Sequence, residues 1–237
     1  MKTQSNGKPS ILLLHGACGS GIQFEPWARK LRERGYQVSN PDFRGHGVRD
    51  ESLNGVSVWD YVSDAGKFVC ELPSPVLVVG QSLGGLVAQL VVSQMTTLVK
   101  GCVLISSTPD ERPPFVWRSL KPRYLWAMLT GRAFHFADSD ARYFLGTEFG
   151  RTALYPESGK VIREELFGKC RVKPITVPTL VFAAKQDRFF PLAVQRRIAE
   201  KHNARLVEVD CGHMIHLSDE SDSVLRQLIG WVERLDR

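Results

Sequence analysis

Short apolar runs rich in branched residues alternate along the chain with longer stretches in which apolar positions recur at helical spacing. The runs at 11–14, 37–40, 76–80, 101–106, 179–183 and 206–210 predict strands, and the stretches at 24–34, 58–72, 83–97, 192–202 and 218–235 predict helices. Runs such as Ile11-Leu12-Leu13-Leu14 show no alternation with polar residues, as expected of strands covered on both faces by crossover helices. The pattern predicts an α/β domain: a mostly parallel central sheet of about six strands, helices on both faces and right-handed crossovers. Trp27, Trp59 and Trp231 fall at apolar helix positions and are expected to pack onto that sheet.

One interval breaks the rhythm. More than sixty residues, 108–174, separate two predicted strands, far more than a single crossover helix needs. Half of the chain's aromatic residues fall in it, among them Phe115, Trp117, Tyr124, Phe134, Phe136 and Phe144. They either pack an inserted segment onto the sheet domain or line a substrate cavity beneath it. The expected organisation is a core of 1–107 and 175–237, with 108–174 as a helical lid.

Composition narrows the class. With 237 residues, 43% of them hydrophobic and 24% charged, the chain is long enough to close a substantial core, which excludes disorder and small disulfide scaffolds. The net charge of +6 is scattered singly and in pairs, without the basic and aromatic interleaving or the recognition helix of a nucleic-acid binder. Five cysteines, none in a CxxC spacing, indicate neither a disulfide framework nor a zinc site. No apolar run approaches the roughly 18 residues of a membrane span. The polar start at 1–9 has no cleavage signal, and with free thiols the expected location is cytoplasmic.

The chemistry is concentrated in Gly80-Gln81-Ser82-Leu83-Gly84, a GxSxG sequence placed between an apolar strand and a helix. Such a turn lifts the serine hydroxyl above the carboxyl edge of the sheet. A serine needs a base, and the base needs a carboxylate to hold its tautomer. Asp187 follows the strand at 179–183, and His213 follows the strand at 206–210. Loops at the carboxyl ends of parallel strands converge on one crevice, so Ser82, Asp187 and His213 are expected to meet there. An oxyanion hole is expected from the backbone amides of Ala17, in the turn after the first strand, and of Leu83.

Through His15-Gly16, Asp42-Phe43-Arg44-Gly45-His46-Gly47, the serine elbow, Asp187 and Gly212-His213, the chain resembles the α/β-hydrolase superfamily over nearly its whole length. The resemblance implies the α/β-hydrolase fold, a nucleophile at Ser82, an acid at Asp187, a base at His213, no metal or organic cofactor, and a lid where the aromatic interval lies. Only about ten residues precede the first strand, too few for the N-terminal hairpin that many members carry, so six core strands are expected.

Other residues compete for these roles. His15, His46 and His216 are alternative bases, with His216 three residues beyond His213 the main rival, and Asp110 is an alternative acid. Cys18 and Cys211 adjoin the expected site but occupy no elbow, and are read as small buried residues. The Asp42 to Gly47 motif is read as loop architecture. The expected function is a serine hydrolase, carboxylesterase-like, cleaving a small or medium apolar ester or thioester through an acyl-enzyme. Two alternatives stay open: a non-hydrolytic or carbon–carbon bond-cleaving enzyme using the His-Asp base, and a ligand receptor on this scaffold. Oligomeric state is not readable from the sequence.

Overall fold

A computed structural model describes residues 7–112, 121–151 and 153–235. The sheet is built from β1 (Ser10–Leu14), β2 (Val38–Ser39), β3 (Val76–Gln81), β4 (Val99–Ile105), then β7 (Thr179–Ala184) and β8 (Arg205–Val209). These six run in the order β2-β1-β3-β4-β7-β8, and every neighbouring pair is parallel. β3 lies between β1 and β4, with Leu14 opposite Gly80 and Gln81 opposite Ile105. The carboxyl ends of three strands therefore meet beside Ser82.

Successive side chains of a strand point to opposite faces, and the core divides accordingly. Leu12, Leu14, Val76, Val78, Leu104 and Val181 pack with α2 (Val58–Glu71), α3 (Leu83–Val92) and α7 (Leu192–Lys201). Ile11, Leu13, Leu77, Val79, Val103 and Phe182 pack with α1 (Glu25–Glu33) and α8 (Ser221–Val232). Burial on both faces is why these strands carry no polar stripe.

The structure corrects some boundaries. β2, expected at 37–40, is only Val38–Ser39, a half-buried edge strand. α3, expected to reach 97, stops at Val92, where the Ser93 hydroxyl donates to the Leu90 carbonyl (2.8 Å) and the chain turns into β4. β4 starts two residues early because Val99 pairs with Val76 across a register shift. The last helix starts at Ser221, since Ile215–Leu217 forms a separate 3-10 turn. Trp27 and Trp231 are buried on the sheet as expected, but Trp59, in the first turn of α2, is 48% exposed.

Between β4 and β7 lie α4 (Pro122–Thr130), β5 (Ala133–Phe134), α5 (Asp138–Leu145), β6 (Glu157–Ser158) and α6 (Gly159–Leu166). β5 and β6 form a short antiparallel ladder, pairing Phe134 with Glu157, an element that helical periodicity does not reveal. This interval is fastened to the start of α2: the Ser158 hydroxyl donates to the Val56 carbonyl (2.7 Å) and the Val58 amide to Glu164 (2.9 Å). Phe115 and Trp117 lie outside the described residues. Among the described residues, no helix is long and apolar enough to cross a membrane, and no cluster of three His, Cys, Asp or Glu side chains could hold a metal ion.

Candidate active site

β3 ends in a turn at Ser82, whose backbone sits at φ 52°, ψ −121°. A non-glycine residue adopts this region only where its surroundings over-determine it. Here the Ser82 amide donates to the Ile105 carbonyl (3.0 Å), and the Ser82 carbonyl accepts from the Gly85 and Thr108 amides (2.8 and 3.0 Å). The flanking glycines are steric necessities. A Cβ on Gly80 would overlap the backbone of Gly84, and a Cβ on Gly84 would overlap the carbonyls of Leu14 and His15.

Asp187 leaves the end of β7 in a tight turn, its Oδ1 accepting the amides of Phe189 (2.7 Å) and Phe190 (3.0 Å). Its Oδ2 accepts the Nδ1–H of His213 at 2.8 Å, both side chains being buried. The carboxylate thus fixes the imidazole tautomer and leaves Nε2 as the free acceptor. The His213 ring lies against Phe189, with ring centroids 4.7 Å apart. Ser82 and His213 line the same cavity. The Ser82 hydroxyl makes no hydrogen bond to His213 among the described residues; hydrogen bonds within a site of this kind are often long before a substrate is bound.

Ala17 follows β1, and Leu83 opens α3. Neither amide has a hydrogen-bond partner among the described residues, so both are available to an incoming oxygen. The turn bearing Ala17 is held from several sides. His15 donates from Nδ1 to the Gly16 carbonyl (2.8 Å) and accepts the Phe43 amide at Nε2 (3.0 Å). Cys18, at φ 57°, gives its amide to Glu157 Oε2 (3.2 Å) and accepts the Tyr155 amide at its carbonyl (2.8 Å).

Glu157 is fully buried and also accepts the Tyr61 hydroxyl and the Ser158 amide, each at 2.8 Å. His46 Nε2 lies 3.3 Å from Glu157 Oε2, off line for a hydrogen bond but close enough for an ion pair. Burial opposes the charged form of each, yet their mutual attraction outweighs it: the His46 pKa is raised and the Glu157 pKa lowered. No sequence motif marks Glu157, whose partners Cys18, His46 and Tyr61 lie about a hundred residues or more away in the chain.

Of the competing residues, only Cys18 lines the cavity with Ser82 and His213. His15 is neutral inside the β1 turn, its pKa pulled to about 4 by burial and by His46. His216 is fully buried, stacked on Phe24 at 4.3 Å, and burial pulls its pKa to about 3. Asp110 Oδ2 binds Lys201 and the Val172 amide (2.8 Å). The Cys18 thiol is pushed well up by burial and by Glu157, which disfavours its thiolate; Cys211 is buried, and none of the five cysteines forms a disulfide. In the Asp42 to Gly47 loop, Asp42 accepts the Gly21 and Val48 amides (2.7 and 2.9 Å), and Arg44 makes a two-pronged contact with Asp64 (3.0 and 2.7 Å).

The cavity over Ser82 has a volume of about 100 Å³. Its walls are mostly apolar, from Tyr124, Phe134, Phe136 and Phe144 of the interval between β4 and β7 and from Phe189 and Phe190 after β7. Tyr143 and Trp126 of the same interval are exposed, so the aromatics there do not share one role.

The chain is similar to proteins named as esterases and lipases. A carboxylesterase of Bacillus subtilis (strain 168) is 25% identical over 244 residues, covering 99% of this chain and 96% of its own length. A pimeloyl-[acyl-carrier protein] methyl ester esterase of Chromobacterium violaceum is 25% identical over 237 residues, covering 91% of each chain. Among solved structures, the Paleococcus ferrophilus monoacylglycerol lipase superposes with a TM-score of 0.79 at 19% identity, over 97% of this chain and 96% of that one. The family model described as "Alpha/beta hydrolase family" matches residues 11–227, and the chain belongs to that family.

Proposed function

We propose that the protein is a serine hydrolase that cleaves small or medium apolar carboxylic esters or thioesters through an acyl-enzyme. That it is a hydrolase acting on ester bonds follows from its family together with its carboxylesterase and methyl ester esterase relatives. The observation that carries the finer reading is the 2.8 Å bond between His213 and Asp187 beside a cavity that Ser82 also lines.

In the proposed reaction Ser82 Oγ attacks the substrate carbonyl while His213 Nε2 takes its proton, and Asp187 stabilises the imidazolium so formed. The oxyanion is met by the Ala17 and Leu83 amides. His213 then protonates the leaving alcohol or thiol, and a water activated by the same nitrogen releases the acid. The aromatic walls supply the binding energy for an apolar group, and the 108–174 interval acts as a lid. Five cysteines, none in a disulfide, support a reducing, cytoplasmic setting.

The test is turnover of p-nitrophenyl esters by the purified protein and by Ser82→Ala. Loss of turnover in the variant is expected; unchanged turnover would refute the mechanism.

A further inference from the structure

Glu165 lies on α6, where Ile162, Glu165 and Leu166 share one face and all three line the cavity. Two of these are the apolar residues that such a face requires. The third is a carboxyl group, 6% exposed, in a cavity whose lining also includes Phe134, Leu166 and Ile162. Its only side-chain hydrogen bond among the described residues comes from the Thr108 hydroxyl to Oε1 at 2.6 Å. Among the described residues Oε2 receives no protein donor and no Lys, Arg or His stands within ion-pair distance, the charges that act on the group being those of Glu157 and His213.

A lone buried carboxyl with one open oxygen is costly, and an apolar side chain of similar volume would serve the packing of α6 at least as well. The group is also close to the chemistry. Thr108, which binds Oε1, donates its own amide to the Ser82 carbonyl at 3.0 Å. A single residue thus joins the carboxyl to the serine elbow.

We propose that Glu165 is a specificity-determining residue whose open oxygen binds a hydroxyl group carried on the apolar arm of the substrate, so that hydroxyl-bearing carboxylic esters are preferred over plain alkyl ones. This deepens the serine esterase reading and rests on it. A hydroxyl fits better than an ammonium group because the surrounding wall is apolar, and a hydroxyl loses far less on leaving water. Burial pushes the Glu165 pKa up to about 7 against the opposing bond from Thr108, so near neutral pH the carboxyl exists in both forms and either can pair with a hydroxyl.

The experiment compares kcat/KM for matched esters differing only in a terminal group: hydroxyl, methyl or amino. One series carries it on the acyl chain of p-nitrophenyl esters of increasing length, and a second on the alcohol of butyrate esters. The wild type is expected to favour the hydroxyl member by about tenfold or more in one series, the size of a hydrogen bond to a charged group. Glu165→Leu is expected to erase that ratio, and Glu165→Gln, which keeps the shape and the Thr108 bond, to retain part of it. A flat ratio in both series, a preference that survives in both variants, or a preference for the amino member overturns the proposal. A flat ratio with turnover that still depends on Ser82 overturns the Glu165 role alone, whereas absence of Ser82-dependent turnover in both series overturns the esterase reading with it.

Discussion

Glu157 Oε2 accepts the amide of Cys18 at 3.2 Å, the residue that directly follows Ala17. The 157–158 strand thereby fixes the turn that offers the Ala17 amide, and the Tyr155 amide secures the same residue from its other side at 2.8 Å. The interval that helps line the cavity and the donor proposed to hold the oxyanion are joined through hydrogen bonds.

Glu157→Ala should therefore lower kcat by about tenfold to hundredfold while leaving KM nearly unchanged, because a displaced oxyanion donor weakens the transition state more than the bound substrate. It should also destabilise the fold by roughly 3–5 kcal/mol, having removed one partner of a buried charged pair. Steady-state kinetics and thermal melting check the two effects separately. Glu157→Gln, which preserves the acceptor for Cys18, should recover part of kcat.

Asp187→Asn should leave the fold intact and reduce kcat by about 10⁴-fold, since an amide no longer selects the Nδ1–H tautomer of His213. The Phe189 and Phe190 amides bind Oδ1, and an Asn carbonyl can still accept them, so circular dichroism and melting temperature should change little.

Three buried histidines are held neutral, chiefly by burial: His15 and His202 with pKa about 4 and His216 about 3, against an ordinary 6.5. His202 has its tautomer fixed by Gln89 (2.9 Å) and by the Ile175 amide (3.1 Å). Between pH 6.5 and about 4 the unfolded chain binds more protons at these positions than the folded one, so stability falls as pH falls through that window. His46, whose pKa is raised, acts in the opposite sense, its contribution being lost as pH rises through its folded value. Urea midpoints measured from pH 7 to 4 should decline, and His216→Phe should decline less steeply. Because both ring nitrogens of His216 are buried without a hydrogen-bond partner among the described residues, that variant should match or exceed the wild type at pH 7.

Gly84→Ala should abolish soluble expression or activity, because its Cβ would overlap two backbone carbonyls, those of Leu14 and His15, and neither can rotate away. Gly55, at φ 77° with open space around it, is the contrast: Gly55→Ala meets backbone strain but no neighbour, and should be only mildly destabilised. Expression yield and melting temperature distinguish the two.

Much of this was legible in the chain because it depends on neighbours in sequence. The GxSxG turn declares itself between an apolar strand and a helix, and Asp187 and His213 each come shortly after a later strand of the same parallel sheet, β7 and β8, beyond β4 from the serine's strand. Order along a parallel sheet turns those local signals into a shared crevice. Boundaries set by tertiary packing were not legible: α3 stops at Val92 although its apolar period continues, and Trp59 is half-exposed although its position in α2 reads as apolar. Glu157 and Glu165 were invisible for a related reason. Glu157 opens a two-residue strand and Glu165 sits near the end of a short helix, and the meaning of each comes from partners such as Cys18 and Thr108, 139 and 57 residues away.

The most direct measurement is reaction of the purified protein with a fluorophosphonate, followed by intact-mass and peptide mass spectrometry. A single phosphonyl adduct on the peptide containing Ser82, absent from Ser82→Ala and slowed in His213→Ala, is the predicted result. An adduct on another residue, or none at all while ester turnover proceeds, would contradict the account.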